Sequence, residues 1–116
     1  MSNNKIYLAG KIYEKTRLRN MSKVLEKMGY VMSCNEINPQ IFIDCINKAD
    51  LLIADMTDPE YNYSSTWTEI GIALGLNKEI WIISQNNHNS FFWSSFVHFL
   101  SWNEVFAELE TYSSNS

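Results

Sequence analysis

Short apolar runs alternate with amphipathic segments along this chain, and that order constrains the fold more than any other feature. Four runs, 6–9, 30–34, 51–54 and 80–83, are predicted strands, and a fifth run, 96–100, is a candidate for a short last strand. Apolar residues at helical spacing lie between and after them, in 14–28, 39–49, 65–76 and 101–109. Strand and helix in alternation, with strands that are apolar throughout, predict a parallel sheet covered on both faces.

The expected architecture is α/β, a flavodoxin-like or Rossmann-like three-layer sandwich with a parallel sheet of about five strands. With 116 residues, the chain is predicted to form one domain spanning 1–116. Ligands of such sheets bind at the carboxyl ends of the strands, near the point where the strand order reverses. Those ends are 10–13, the residues after Cys34, 55–65 and 84 onward. Candidate functional residues are therefore sought there.

Composition excludes several classes of function. A net charge of −4 argues against nucleic acid or an anionic membrane as the main partner. No stretch approaches the roughly 18 consecutive apolar residues that a membrane span needs. The two cysteines, Cys34 and Cys45, do not suggest a disulfide framework, so a cytoplasmic location is expected.

Common cofactor and metal motifs are missing. Gly10 stands alone after the first strand, which excludes a dinucleotide-binding fingerprint, and no GxxxxGK[ST] loop is present. His88 and His98 have no partners at metal-ligand spacing. We therefore expect no metal site, and the carboxylates remain as the candidate catalytic groups.

Glu69 is the carboxylate that permits two interpretations. Thr66-x-x-Glu69 has the pattern of a capping box, in which the glutamate only caps its helix. Alternatively, a carboxylate in the first helical turn stays ionised near the positive end of the helix dipole and can act as a nucleophile. An ionised carboxylate beside an anomeric carbon is the arrangement of retaining glycosidases. Asp55 and Asp58 are expected to cluster with Glu69 in the same strand–loop–helix unit.

Three segments resemble one known family. They are KIYLAG at 5–10, ADLLIADMTDP at 49–59 and STWTEIGIALGLNKEIWII at 65–83. Together they are similar, in order and spacing, to the nucleoside 2-deoxyribosyltransferases, a superfamily that includes nucleoside-monophosphate N-glycosidases. The resemblance implies a flavodoxin-like fold, no cofactor, a small-molecule nucleoside or nucleotide as partner, and a homodimer or larger assembly whose sites borrow residues from a neighbouring subunit.

The resemblance also implies roles for individual residues. Glu69 matches the nucleophile, which attacks C1′ of a 2′-deoxynucleoside before a second base accepts the sugar in a transferase, or water in a hydrolase. Tyr7 falls where some members carry a tyrosine that steadies the nucleophile; otherwise it is a core aromatic. Gly10 matches a glycine that lets the backbone approach the sugar, and as a plain turn glycine it would have the same geometry.

Three positions depart from the family pattern. Many members have the pattern Asp-x-Gly-Thr-x-x-Glu, in which Tyr63 of this chain replaces the aspartate and Ser65 replaces the glycine. A second family aspartate aligns with Phe42. Asp55 and Asp58 are then the acids that could contact the base, or they cap turns. These departures favour one alternative function, a nucleotide-binding module without catalysis.

Other residues favour a substrate with a 5′-phosphate. Ser65 and Thr66 lie at a helix N-terminus, which binds anions readily, and Lys11 and Arg17 follow the first strand. Tyr13 and Tyr63, at the same sheet edge, are further substrate-binding candidates. These residues support the second alternative, a nucleoside 5′-monophosphate N-glycosidase.

The segment 91–95 is expected to contribute to an assembly. Ser94 and Ser95 lie where some phosphate-recognising relatives present serine to the neighbouring site. The aromatic residues 91–93 either form part of a subunit interface or pack in the core.

Overall fold

The computed structural model describes residues 5–11, 15–34, 41–85 and 96–114. Its strands and helices alternate in the predicted order. The strands are β1 (Lys5–Gly10), β2 (Val31–Met32), β3 (Leu51–Asp55), β4 (Glu79–Ile83) and β5 (Val97–Phe99). The helices are α1 (Lys15–Lys27), α2 (Phe42–Lys48), α3 (Ser64–Gly75) and α4 (Trp102–Ser114).

The five strands form one parallel sheet in the order β2-β1-β3-β4-β5. This order confirms the predicted flavodoxin-like α/β architecture. The chain leaves β1 toward β2 on one side and returns to β3 on the other, so the strand order reverses between β1 and β3. Gly10 and Asp55 are paired at the carboxyl ends of these two strands. The reversal point therefore lies at this pair.

Side chains that alternate along the strands build two cores, one on each side of the sheet. Ile6, Ile53 and Trp81 pack with α1 and α4 on what we call the α1–α4 face. Leu52 and Ile82 pack with α2 and α3 on the α2–α3 face. Since both faces are covered by helices, the strands are apolar throughout and the three-layer prediction is confirmed.

The helix ends follow local sequence signals. Gly29, just after α1, has a φ of 102°, and Asn77, just after α3, has a φ of 60°; residues in this left-handed region commonly end helices. At α4 the Glu104 N–H donates to Ser101 Oγ over 3.4 Å, while the Glu104 carboxylate accepts the Leu100 N–H over 2.8 Å. These two hydrogen bonds cap the start of the helix. α4 continues beyond the predicted end at 109, because no glycine or proline follows to stop it.

Cys34 and Cys45 form a disulfide, with Cα atoms 5.3 Å apart. The expectation that these cysteines carry no disulfide is therefore wrong. Cys34 follows β2 and Cys45 lies in α2, and folding places the strand end beside the helix. The sequence separation of 11 residues does not reveal that proximity.

Membrane and metal features are absent from the described ranges. No helix within them is long and apolar enough to cross a membrane. Nor do the residues of these ranges bring three or more His, Cys, Asp or Glu side chains together in a way that could hold a metal ion.

Candidate active site

Tyr7 and Glu69 meet on the α2–α3 face of the sheet, near its reversal point. Tyr7 is in β1 and projects onto this face, and Glu69 is in α3, which packs over it. The Tyr7 hydroxyl donates a hydrogen bond to Glu69 Oε2. Both side chains are half-buried. The carboxylate is therefore held by β1 and not by its own helix.

The capping-box interpretation of Glu69 is wrong. α3 begins at Ser64, and Tyr63 at its N-cap makes no side-chain capping hydrogen bond. Thr66 is fully buried, and its hydroxyl donates to the Gly10 carbonyl over 3.3 Å. The helix starts earlier than predicted, so Glu69 lies in its second turn and is too far along to reach the N-cap.

Burial sets the protonation of this pair. Loss of solvent raises the pKa of Glu69 and the hydrogen bond from Tyr7 lowers it in part, so that the pKa lies at about 6. Burial and the neighbouring carboxylate raise the pKa of Tyr7 far above its usual range. At neutral pH, Glu69 is therefore mostly ionised and Tyr7 is a neutral donor. Burial is the largest influence on the pKa of Glu69.

Asp55 lies on the opposite side of the sheet from Glu69, so the expected carboxylate cluster does not form. Side chains alternate along β3, and position 55 belongs to the α1–α4 face. The buried Asp55 carboxylate accepts hydrogen bonds from Arg17 Nε and Trp102 Nε1, both over 2.8 Å, and from Thr57 Oγ1 over 2.9 Å. Asp55 thus connects α1, α4 and the loop after β3. Arg17 was expected to lie near a phosphate, but it contacts this carboxylate instead.

Asp58 forms an ion pair at the reversal point. Lys11 Nζ lies 2.6 Å from Asp58 Oδ2, and this bond lowers the pKa of the Asp58 carboxyl. Lys11 also lies 5.0 Å from the centroid of the Tyr61 ring. The other Asp58 oxygen accepts a hydrogen bond from the Glu60 N–H over 3.0 Å, so Asp58 also caps a turn.

Aromatic rings occupy the two positions that align with family aspartates. Tyr63 is buried, its ring packs edge-on to Tyr61 at 4.8 Å, and its hydroxyl accepts the Asp58 N–H over 3.0 Å. Burial raises the pKa of Tyr63, so it stays neutral at physiological pH. Phe42 begins α2 and packs against the same core cluster as Tyr7. The surroundings of Tyr7 are thus aromatic at both positions.

Comparison with known proteins gives structural matches. No protein-family model and no curated protein sequence matches the chain. The structure of the CMP N-glycosidase BcmB of Clostridium botulinum superposes with a TM-score of 0.66 at 21% identity, covering 92% of this chain and 99% of that one. The 2-desoxiribosyltransferase of Leishmania mexicana superposes with a TM-score of 0.57, also at 21% identity, covering 73% and 67%.

The chain therefore shares its fold with these two enzymes. Within this fold, Ser65 is exposed at the start of α3, whereas the Thr66 hydroxyl is bound to Gly10. Tyr13, Ser94, Ser95 and the aromatic segment 91–93 lie outside the described residues.

Sequence reasoning missed two aromatic residues of this region of the fold. Trp102 binds Asp55 from α4, and no sequence signal connects residues so distant in the chain. Tyr61 lies beside Lys11 and Tyr63, and its place in the 55–63 loop at the ligand edge was a signal that could have identified it.

Proposed function

We propose that this protein cleaves the N-glycosidic bond of a 2′-deoxynucleoside or nucleotide, with Glu69 as the nucleophile. The observation that carries the proposal is the Tyr7–Glu69 hydrogen bond on the α2–α3 face, near the strand reversal. Small molecules bind at such points in parallel sheets. The likeness to two N-glycosyl enzymes supports the same reaction class.

The proposed first step forms a covalent ester. One carboxylate oxygen of Glu69 attacks C1′ of the sugar, and the C1′–N bond breaks with its electron pair going to the base. The departing base takes up a proton from water, and the base that attacks in the second step gives one back. In the second step, a nitrogen of another base attacks C1′ and releases Glu69, which completes a transfer.

Tyr7 is assigned the role of holding the nucleophile. Its hydroxyl binds Oε2, so we assign the attack to Oε1. Because its raised pKa keeps Tyr7 neutral, the phenol remains a donor throughout the cycle. A hydrogen bond to the charged oxygen also keeps the partly buried carboxylate ionised at neutral pH.

Other residues are assigned to substrate binding. Gly10 would approach the sugar, as the family resemblance implies, Asp58 could contact the base, and Ser65 could bind a 5′-phosphate. Tyr13 remains a substrate-binding candidate. The proposed assembly is a homodimer or larger homo-oligomer in which a neighbouring subunit completes the site, and the proposed reaction needs no cofactor.

Hydrolysis of a nucleoside 5′-monophosphate is the second candidate. The match to the structure of a CMP N-glycosidase, which covers almost the whole of both chains, favours this candidate. Lys11 lies at the end of β1 and could bind a phosphate in exchange for Asp58. Water would then replace the second base as the group that attacks C1′.

A nucleotide-binding module is the third candidate. The aromatic residues Phe42 and Tyr63 favour it, because the family pattern has acids at both positions. This candidate predicts binding without turnover.

Intact-protein mass spectrometry after brief exposure to deoxynucleosides and their monophosphates tests the proposal. We expect a deoxyribosyl or phosphodeoxyribosyl adduct in the parent protein and none in Glu69→Gln. A swapped nucleoside formed with a foreign free base indicates transfer, and free base released without an acceptor indicates hydrolysis. Binding that survives Glu69→Ala in a protein with no turnover supports the module, and full activity in Glu69→Ala rejects Glu69 as nucleophile.

A further inference from the structure

The disulfide joins the carboxyl end of the edge strand β2 to the helix α2. Cys34 is half-buried just after the strand, and Cys45 is buried inside the helix. Neither sulfur takes part in the reaction proposed at Glu69. The bond therefore needs its own explanation.

Both elements that the disulfide joins are short. β2 consists of Val31 and Met32, and in the described part of the sheet it pairs with β1 at the edge. α2 has seven residues, and its N-cap residue, Ile41, makes no side-chain capping hydrogen bond. Helices of this length depend on tertiary contacts for their stability. The covalent link to α2 therefore contributes substantially to the stability of this helix.

α2 is connected to the candidate active site by packing. Ile46 is fully buried in the core cluster of the α2–α3 face. Phe42, at the start of the helix, packs against that cluster, and so does Tyr7. A shift or loosening of α2 would therefore change the packing next to the residue that holds Glu69.

We propose that Cys34 and Cys45 are a reversible thiol–disulfide pair that couples the redox state of the surroundings to the order of α2. The oxidised pair fixes α2 and the packing beside Tyr7, and the reduced pair loosens both. The effect on turnover rests on the proposed function, whereas the effect on α2 does not.

The chemistry is thiol–disulfide exchange with a small dithiol. A thiolate of the reductant attacks Sγ of Cys34, which is the more exposed residue of the pair, and the S–S electron pair leaves with Sγ of Cys45. The second thiol of the reductant resolves the mixed disulfide. In total, two electrons and two protons pass from the dithiol to the protein, which gains two thiols while the reductant becomes a disulfide. Oxidised glutathione reverses the reaction.

The experiment compares the parent protein after oxidation by glutathione disulfide and after reduction by dithiothreitol. Alkylation with iodoacetamide followed by intact mass counts the free thiols in each state. Hydrogen exchange measured by mass spectrometry reports the order of α2, with α4 as the internal control. Cys34→Ser is the matched variant, since it cannot form the bond and should not respond to either treatment.

On reduction we expect two alkylated thiols and exchange in α2 faster by at least about tenfold. The melting temperature should fall by roughly 5–10 °C. Exchange in α4 should rise much less than in α2, and Cys34→Ser should resemble the reduced parent under both treatments. Turnover should differ by at least twofold or so between the two states of the parent.

Three outcomes would overturn the proposal. They are equal α2 exchange in the oxidised and reduced parent, a disulfide that dithiothreitol does not reduce, and free thiols that glutathione disulfide does not oxidise. Absence of turnover in every state would reject the proposed function, and the exchange and melting data would still decide for or against the redox coupling.

Discussion

The phenol of Tyr7 is hydrogen-bonded to the carboxylate of Glu69, which lies 62 positions later in the chain. One residue comes from the first strand and the other from the third helix, so only the folded sheet brings them together. Burial raises the pKa of both groups. The pair therefore combines a carboxylate of raised basicity with a donor that stays neutral.

Removing the Tyr7 hydroxyl should weaken catalysis and shift its pH dependence. In the parent, activity should fall as the pH drops below about 6, because Glu69 must be ionised to attack. In Tyr7→Phe, we expect kcat to fall by roughly ten- to a hundredfold, because a hydrogen bond to a charged group contributes a free energy of that size. The acidic limb of the pH–rate profile should move to higher pH, since that hydrogen bond lowers the pKa of Glu69. An unmoved limb would contradict the role assigned to Tyr7.

Neutralising Glu69 should stabilise the fold at neutral pH. Its pKa rises from 4.5 to about 6 on folding, so the folded state holds the proton more tightly than the unfolded state. Below pH 4.5, Glu69 is largely protonated in both the folded and the unfolded state, and the free energy of unfolding is not reduced. The free energy of unfolding then falls as the pH rises toward 6 and stays lower above that pH. At pH 7 the penalty is about 2 kcal/mol, and Glu69→Gln should recover most of it.

Chemical denaturation of the parent and Glu69→Gln at pH 4 and pH 7 tests this expectation. The difference between the two proteins should be small at pH 4 and should favour Glu69→Gln at pH 7. A larger gain at pH 4 than at pH 7 would show that the sign is wrong.

Loss of the Asp55 carboxylate should be far more damaging than loss of Asp58. Asp55 is buried and accepts the Trp102 indole N–H, which would be left buried without a partner in Asp55→Ala. We expect a loss of about 3 kcal/mol in the free energy of unfolding. Asp58→Ala is the control, since the Asp58 side chain is 39% exposed and its loss should change stability much less. Equal losses in urea denaturation would contradict the structural role of Asp55.

Two glycine substitutions should have opposite signs. A Cβ on Gly10 would lie 3.1 Å from the Asp55 carbonyl oxygen and 3.4 Å from Leu18 Cδ2, so Gly10→Ala should cost about 1 kcal/mol or more. A Cβ on Gly71, exposed inside α3, would meet nothing within 4 Å. Gly71→Ala should therefore stabilise the protein by about 0.5–1 kcal/mol. Thermal melting of both variants checks the pair, and a stabilising Gly10→Ala would reject the close approach.

The sheet could be predicted from sequence because both its faces are buried. Strands covered on two sides are apolar throughout, and the glycine or asparagine after α1 and α3 marks the helix ends. β2 was predicted too long, since only Val31 and Met32 pair with β1 at the edge. The apolar pattern identifies strands but does not determine how far an edge strand keeps its partner.

The site was less predictable because it depends on distant contacts. Tyr7 and Glu69 were singled out together through family resemblance, and spacing alone suggested a cap. Alternation along β3 did carry a usable signal: Asp55 shares its face with Ile53, and the register pairs Tyr7 with Leu52 on the other face. What the sequence could not supply was Trp102, whose bond to Asp55 spans 47 positions.

The strand order also has a consequence for biosynthesis. β1 leaves the ribosome first, yet one of its two neighbours in the sheet is β3, which begins at Leu51. Until that segment has been translated, the nascent chain must keep an apolar strand without this partner, and the Tyr7 hydroxyl has no carboxylate to bind. Sheets built from such long-range pairings form slowly, and the incompletely folded chain exposes apolar surface that favours aggregation. Translation speed between β1 and α3 should therefore influence the yield of folded protein.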